Sequence, residues 1–219
     1  MAVLEIAQRK LKGDPALVKE VDEKLAPGLI AALQKGGVTN ALRGFLVSED
    51  GKDVSGEYRE LFLMEWPAIQ RFRDFLVSPE LREQGAKMTG YAEGPTVLKL
   101  FETTTSSDDA SPLFGADKAV LEYLVVKPRD PSDTAVEAVS QLLHNGLAQL
   151  GTAKGAAVGT TQNLETREIG VVSVYASDAD LDTAKASAAR KQLLSDVAAT
   201  ADTTSLVAHV KKIIPFAEK

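Results

Sequence analysis

The chain has 219 residues, 44% hydrophobic and 26% charged, with 31 acidic against 25 basic residues and a formal net charge of −6. That acidity, with no Lys/Arg cluster beyond Lys211-Lys212, argues against a nucleic-acid binder, which needs a basic face to neutralise phosphates. No cysteine is present, which excludes disulfides, thiolate catalysis and Cys-ligated metal, and no run approaches the ~18 apolar residues of a membrane span.

The opening MAVLEIAQRKLK begins directly on a strand pattern, without a basic region followed by an apolar one, so no signal peptide is expected and the cytoplasm is the expected compartment. A strand over 2–11 ends at Gly13. Asp14 then caps a helix whose first residue is Pro15, and Gly36-Gly37 closes it. Strands follow over 41–48 and 58–66, joined by a hairpin at Asp50-Gly51. Ile69, Phe72 and Leu76 recur at helical spacing, Ser78-Pro79 interrupts, a short helix lies within 80–87, and 96–102 is a fourth strand. Residues 103–118 are rich in Ser, Thr and Asp and have no periodicity, as a linker does.

The order then repeats. Residues 118–127 form a strand, Asp130-Pro131 opens a helix, 156–161 and 170–176 are strands, Ser177 or Asp178 caps a second helix, and 206–213 is the last strand. AVLE occurs at 2–5 and again at 119–122, and Gly44 matches Gly159. The chain therefore divides into two units, 1–103 and 118–219, joined by 104–117. Each unit has the order strand, helix, strand, strand, helix, strand. This is an α+β plan: two tandem ferredoxin-like units whose antiparallel sheets pack into one barrel with the helices outside. Each unit covers the other's open sheet face, so a monomer is expected.

LFLMEWPAIQRFRDFLVSPELR is a strand ending in Trp66 and running into a helix that stops at Ser-Pro. With the closing VLKLFE and the opening MAVLE, it resembles the dimeric α/β-barrel superfamily, the group of antibiotic-biosynthesis monooxygenases and stress-responsive A/B-barrel proteins. The resemblance implies a tandem, pseudo-dimeric member. Relatives carry histidines where this chain has Glu5 and, after a proline, Glu80-Leu81, so a different catalytic arrangement is implied. Haem-binding relatives use a helix histidine. The nearest here, His144, lies in the helix of the other repeat, and no cofactor and no metal are expected.

If Leu4, Ile6, Leu121 and Tyr123 face the helices, then Glu5 and Glu122 face the lumen, as do Lys99, Phe101 and His209 on the fourth strands. Neighbouring first and fourth strands would pair Glu122 with His209, and Glu5 with Lys99. A carboxylate beside an imidazole in a partly dry cavity makes a general base. The plain alternative is a set of ion pairs plugging the lumen. Tyr58, Trp66, Met88, Tyr91 and Phe101 are candidates for contacts with an apolar ligand, and Arg43 for an acidic group on it, although such aromatics are more often core. The function expected is cofactor-independent acid–base chemistry on a small apolar, aromatic or polyketide-like molecule: cyclisation, isomerisation, decarboxylation or oxygenation. A non-catalytic carrier or stress-associated barrel is the competing class.

Overall fold

A computed structural model describes residues 3–103, 111–147, 155–163 and 167–214. Its strands are β1 (Val3–Lys10), β2 (Asn40–Glu49), the two-residue β3 (Lys52–Asp53), β4 (Arg59–Trp66), β5 (Val97–Thr103), β6 (Lys118–Pro128), β7 (Gly155–Thr161), β8 (Ile169–Tyr175) and β9 (Ala201–Ile214). Eight of them run in the order β2-β4-β1-β5-β7-β8-β6-β9, and β9 returns to pair with β2, closing an antiparallel barrel. In each half the first strand lies between the third and the fourth. The halves join at two seams, β2–β9 and β5–β7.

An eight-stranded barrel is just wide enough for side chains to fill its interior. Here Leu4, Ile6, Leu61, Leu63 and Phe101 from one half meet Leu121, Tyr123, Val172, Leu206 and Ala208 from the other in one core. Leu113 and Phe114 join it from a 3-10 turn (Ser111–Phe114), so the segment expected to be only a linker supplies part of the core. The opposite face of β1 and β4, with Val3, Ala7, Phe62, Met64 and Trp66, packs on helix residues Leu33, Phe72 and Phe75.

This reverses the expected faces of β1, β6 and β9: Leu4, Ile6, Leu121, Tyr123, Leu206 and Ala208 point inward, whereas Glu5, Glu122 and His209 lie on the helix side. On β1 and β6 the physical reason is that both faces are buried, so alternation labels neither and a one-residue shift exchanges them. On β9 the buried Leu206, Ala208 and Val210 alternate with exposed His209 and Lys211, and the polar face looks outward, away from the lumen. On β5 the expectation agrees with the structure, with Phe101 inward and Leu100 outward.

Gly44 and Gly159 stand at the two seams. A Cβ on Gly44 would lie 1.9 Å from the His209 carbonyl oxygen, and one on Gly159 2.6 Å from that of Glu102. Each glycine lets the second strand of one half approach the fourth strand of the other.

The helices are α1 (Pro15–Glu20), continued through a π-helical turn (Val21–Leu25) into α2 (Ala26–Gly36), then α3 (Ile69–Leu76), α4 (Pro79–Met88), α5 (Asp133–Gly146), α6 (Asp178–Ala186) and α7 (Ala188–Ala198). Asp14 caps α1 and Gly37, at φ 99°, ends α2. The cap of α5 is Ser132 rather than Asp130-Pro131, because Asp130 accepts the Ser132 amide and holds the serine in place. The second helix of the second half is broken at Ser187, whose hydroxyl accepts from the Arg190 amide, as Ser78 does from Leu81 between α3 and α4. Among the described residues no helix is long and apolar enough to cross a membrane.

Candidate functional site

The barrel interior is occupied by side chains. An apolar cavity, about 270 Å³, lies outside it, between the first-half sheet and helices α2 and α4. Its floor is one face of β1, where alternation brings Glu5, Ala7 and Arg9 to the same side. Cross-strand pairing sets Met64 beside Glu5, Phe62 and Leu98 beside Ala7, and Glu60 beside Arg9. Small side chains at Ala7 and Gly85 leave the space, and Leu33, Phe75, Leu81 and Met88 wall it.

Glu5 is 3% exposed. Burial raises its carboxyl from an ordinary 4.5 to about 7, against the opposing effect of a 2.7 Å hydrogen bond that Trp66 Nε1 donates to Oε2. Near neutral pH such a group both takes and returns protons, which suits it to general acid–base work. The Trp66 ring is fully buried against Phe72 and Phe75, so Trp66 acts through Glu5 and does not line the cavity.

At the other end, Arg9 Nε donates to Glu60 Oε2 at 2.7 Å, and Arg43 Nε donates to Oε1 at 2.8 Å. Both guanidinium carbons lie over the Phe62 ring, at 5.5 and 5.7 Å from its centre. Arg43 also pairs with the half-exposed Asp22 at 2.6 Å. Arg43 is therefore a buried member of an ion cluster, and closure of the barrel leaves β2 no free edge. Arg9 and Glu60 were not sequence candidates. The available signal was Arg9 four residues after Glu5 on a single strand face.

The second half treats its corresponding carboxylate differently. Both Glu122 oxygens accept from Arg190 Nη2 at 2.7 Å, Ser205 Oγ lies 3.0 Å from Oε1, and Arg190 Nη1 donates to Tyr175 Oη at 3.0 Å. The expected Glu122–His209 pair is not formed. Glu122 stands opposite Val207, His209 stands opposite Val120, and the exposed His209 Nε2 lies 2.9 Å from Asp178 Oδ1 over an open groove. Nor do Glu5 and Lys99 meet: Lys99 pairs with Ile6 on the other face and donates to Glu168 at 2.6 Å. Burial pushes the Glu168 carboxyl up, but Lys99 and Lys127 together hold it below its usual value.

Phe101 belongs to the barrel core, edge-on to Tyr123 at 6.0 Å. Tyr58 adopts a left-handed φ of 50° and its carbonyl accepts from the Leu11 amide, while half-buried Tyr91 follows α4 beside Glu20. Neither lines the cavity, whereas Met88 does. His144 borders a separate polar pocket of about 240 Å³ with Glu102, Glu137 and Gln141, a setting that does not fit the apolar faces of a haem. Among the described residues no group of three His, Asp or Glu is placed to hold a metal ion.

No family model matches the sequence, and no curated protein matches it. Solved structures do. An anthrone oxidase-like protein superposes with a TM-score of 0.69 at 13% identity over 100% of this chain and 97% of its own. A candidate monooxygenase of Fusobacterium nucleatum subsp. nucleatum gives 0.66 at 10% identity, over 99% and 96%. The chlorite dismutase of Candidatus Nitrospira defluvii, in complex with imidazole, gives 0.55 at 12% identity, over 95% and 91%. At these identities the likeness is one of fold, that of the dimeric α/β barrel.

Proposed function

We propose that this protein is a cofactor-independent enzyme for a small, apolar, aromatic or polyketide-like molecule, with Glu5 as its acid–base group. The observation that carries the proposal is a carboxyl group titrating near neutrality inside an apolar cavity. The site lies between sheet and helices in the first half, and not in the lumen. The names of the two structural neighbours, monooxygenase and anthrone oxidase-like, support a substrate with an acidic C–H or O–H bond. Ionised Glu5 takes that proton, and the apolar walls keep water from the resulting carbanion or enolate. The carbanion then collects a proton elsewhere, as in isomerisation, or reacts with dioxygen.

We also read the chain as two tandem ferredoxin-like units, 1–103 and 118–219, a pseudo-dimeric form of the superfamily. The repeated strand order and the paired seam glycines support this. Among the described residues the unneutralised carboxylate of the corresponding pair is that of the first unit, since Arg190 pairs with Glu122 in the second.

Anthrone tests the chemistry. Under argon in deuterated buffer, the wild type is expected to accelerate exchange at its acidic methylene carbon. In air it should form anthraquinone and water from anthrone and one dioxygen. General-base catalysis contributes roughly 10²–10⁴-fold, and Glu5→Gln should lose that factor. Anthrone that binds and is released unchanged and unexchanged would instead identify a carrier.

A further inference from the structure

The cavity has two polar ends, and the proposed chemistry uses one. We propose that Arg9 recognises an acidic oxygen of the substrate, so that the ligand class is an elongated apolar molecule bearing a carboxylate, phenolate or enolate at the end remote from Glu5. This rests on the cavity being the substrate site.

Glu5 and Arg9 are four residues apart on one strand face, which separates their backbones by about 14 Å at ~3.4 Å per residue. That is the length of a two- or three-ring molecule, and Ala7 between them leaves the floor open. The separation also leaves Glu5 unneutralised: its raised carboxyl pKa is set by burial and by Trp66, without a contribution from Arg9.

The charge balance at the Arg9 end favours an anion. Two buried guanidiniums, Arg9 and Arg43, share the buried carboxylate of Glu60, and among the described residues their one other acidic partner, Asp22, is half-exposed on the Arg43 side. Arg9 commits Nε and Nη2 to Glu60, and among the described residues Nη1 makes no hydrogen bond. Glu60 and Phe62 hold the guanidinium plane in place, so its remaining edge is preorganised. Gln84 borders this end too: together with Arg9, Leu29 and Met88 it lines both the main cavity and a small adjoining one. Its amide is a second donor for the same oxygen.

The test is equilibrium binding at pH 6 of 2-naphthoate and of 2-acetylnaphthalene, a neutral molecule of nearly the same shape. The wild type is expected to bind 2-naphthoate at least tenfold more tightly. Arg9→Gln should abolish that preference while leaving 2-acetylnaphthalene within threefold, and Arg9→Lys should keep part of it. Should Arg9→Gln fail to fold, the wild-type ratio and Arg9→Lys still decide. Equal affinities in the wild type, or a preference that survives Arg9→Gln, overturn the role of Arg9 and leave the cavity as a ligand site. Failure of both molecules to bind overturns the cavity as the substrate site, and the role of Arg9 with it.

Discussion

The indole Nε1 of Trp66 donates a 2.7 Å hydrogen bond to Glu5 Oε2, joining the end of β4 to the start of β1. Trp66 stands opposite Val3, so the bond runs diagonally across the strand pair, and it lies at one of the two polar ends of the cavity. It favours the ionised carboxylate against the larger effect of burial, and the balance leaves Glu5 near 7.

A raised folded-state pKa on an acid means that the folded protein binds the proton more tightly than the unfolded chain does. The corresponding stability is full below about pH 4.5, is lost as pH rises toward 7 and stays lost above it. At ~1.4 kcal/mol per unit the loss is about 3 kcal/mol. Glu5→Gln cannot ionise, so it should match the wild type at pH 4 and exceed it at pH 8 by up to that amount. Urea unfolding of both proteins across this range measures the difference. Trp66→Phe removes the donor and should move the wild-type midpoint upward.

Glu122 is the opposite case, a buried carboxylate neutralised by Arg190 with both groups almost fully enclosed. Removing one member of such a pair strands the other, at a cost of about 3–5 kcal/mol. Arg190→Met should therefore lose most of the protein's stability in chemical denaturation. Adding Glu122→Gln to it should restore a large part.

Gly44→Ala places a Cβ within 1.9 Å of a backbone oxygen that cannot move without opening the β2–β9 seam. Overpacking of this kind costs about 1–3 kcal/mol or more. Gly56→Ala, with nothing within 4 Å, is the control and should be close to neutral. Thermal melts of the two variants give the comparison.

Ala7→Leu fills the cavity floor from a position where the extra atoms meet empty space. It should fold with stability near that of the wild type and bind 2-acetylnaphthalene at least tenfold more weakly, as titration calorimetry would read.

The order of elements is legible because its punctuation is chemical. Asp14-Pro15 and Ser78-Pro79 start helices, Ser177 caps another, and Asp50-Gly51 turns a hairpin with both residues at positive φ. Which face of β1 or β6 looks inward is not legible, since helices outside and core inside bury both, and β1 is buried from Val3 through Ala7. Glu5 stands out as a charge on a buried strand, yet its setting depends on that face. Glu122 and His209 do share a face, but the register offsets them by two residues, and Arg190 and Asp178 take the partners' places. Arg190 follows a helix break and Glu60 lies on another strand, so only the packed structure brings them to Glu122 and Arg9.

The most direct measurement is a carbon-13 NMR titration of the Glu5 carboxyl, assigned by its absence in Glu5→Gln, with and without 2-acetylnaphthalene. A midpoint near 7 that moves upward when the neutral molecule displaces water is the predicted result. A midpoint near 4.5, unmoved by 2-acetylnaphthalene, would contradict a proton-exchanging carboxyl group in a substrate cavity.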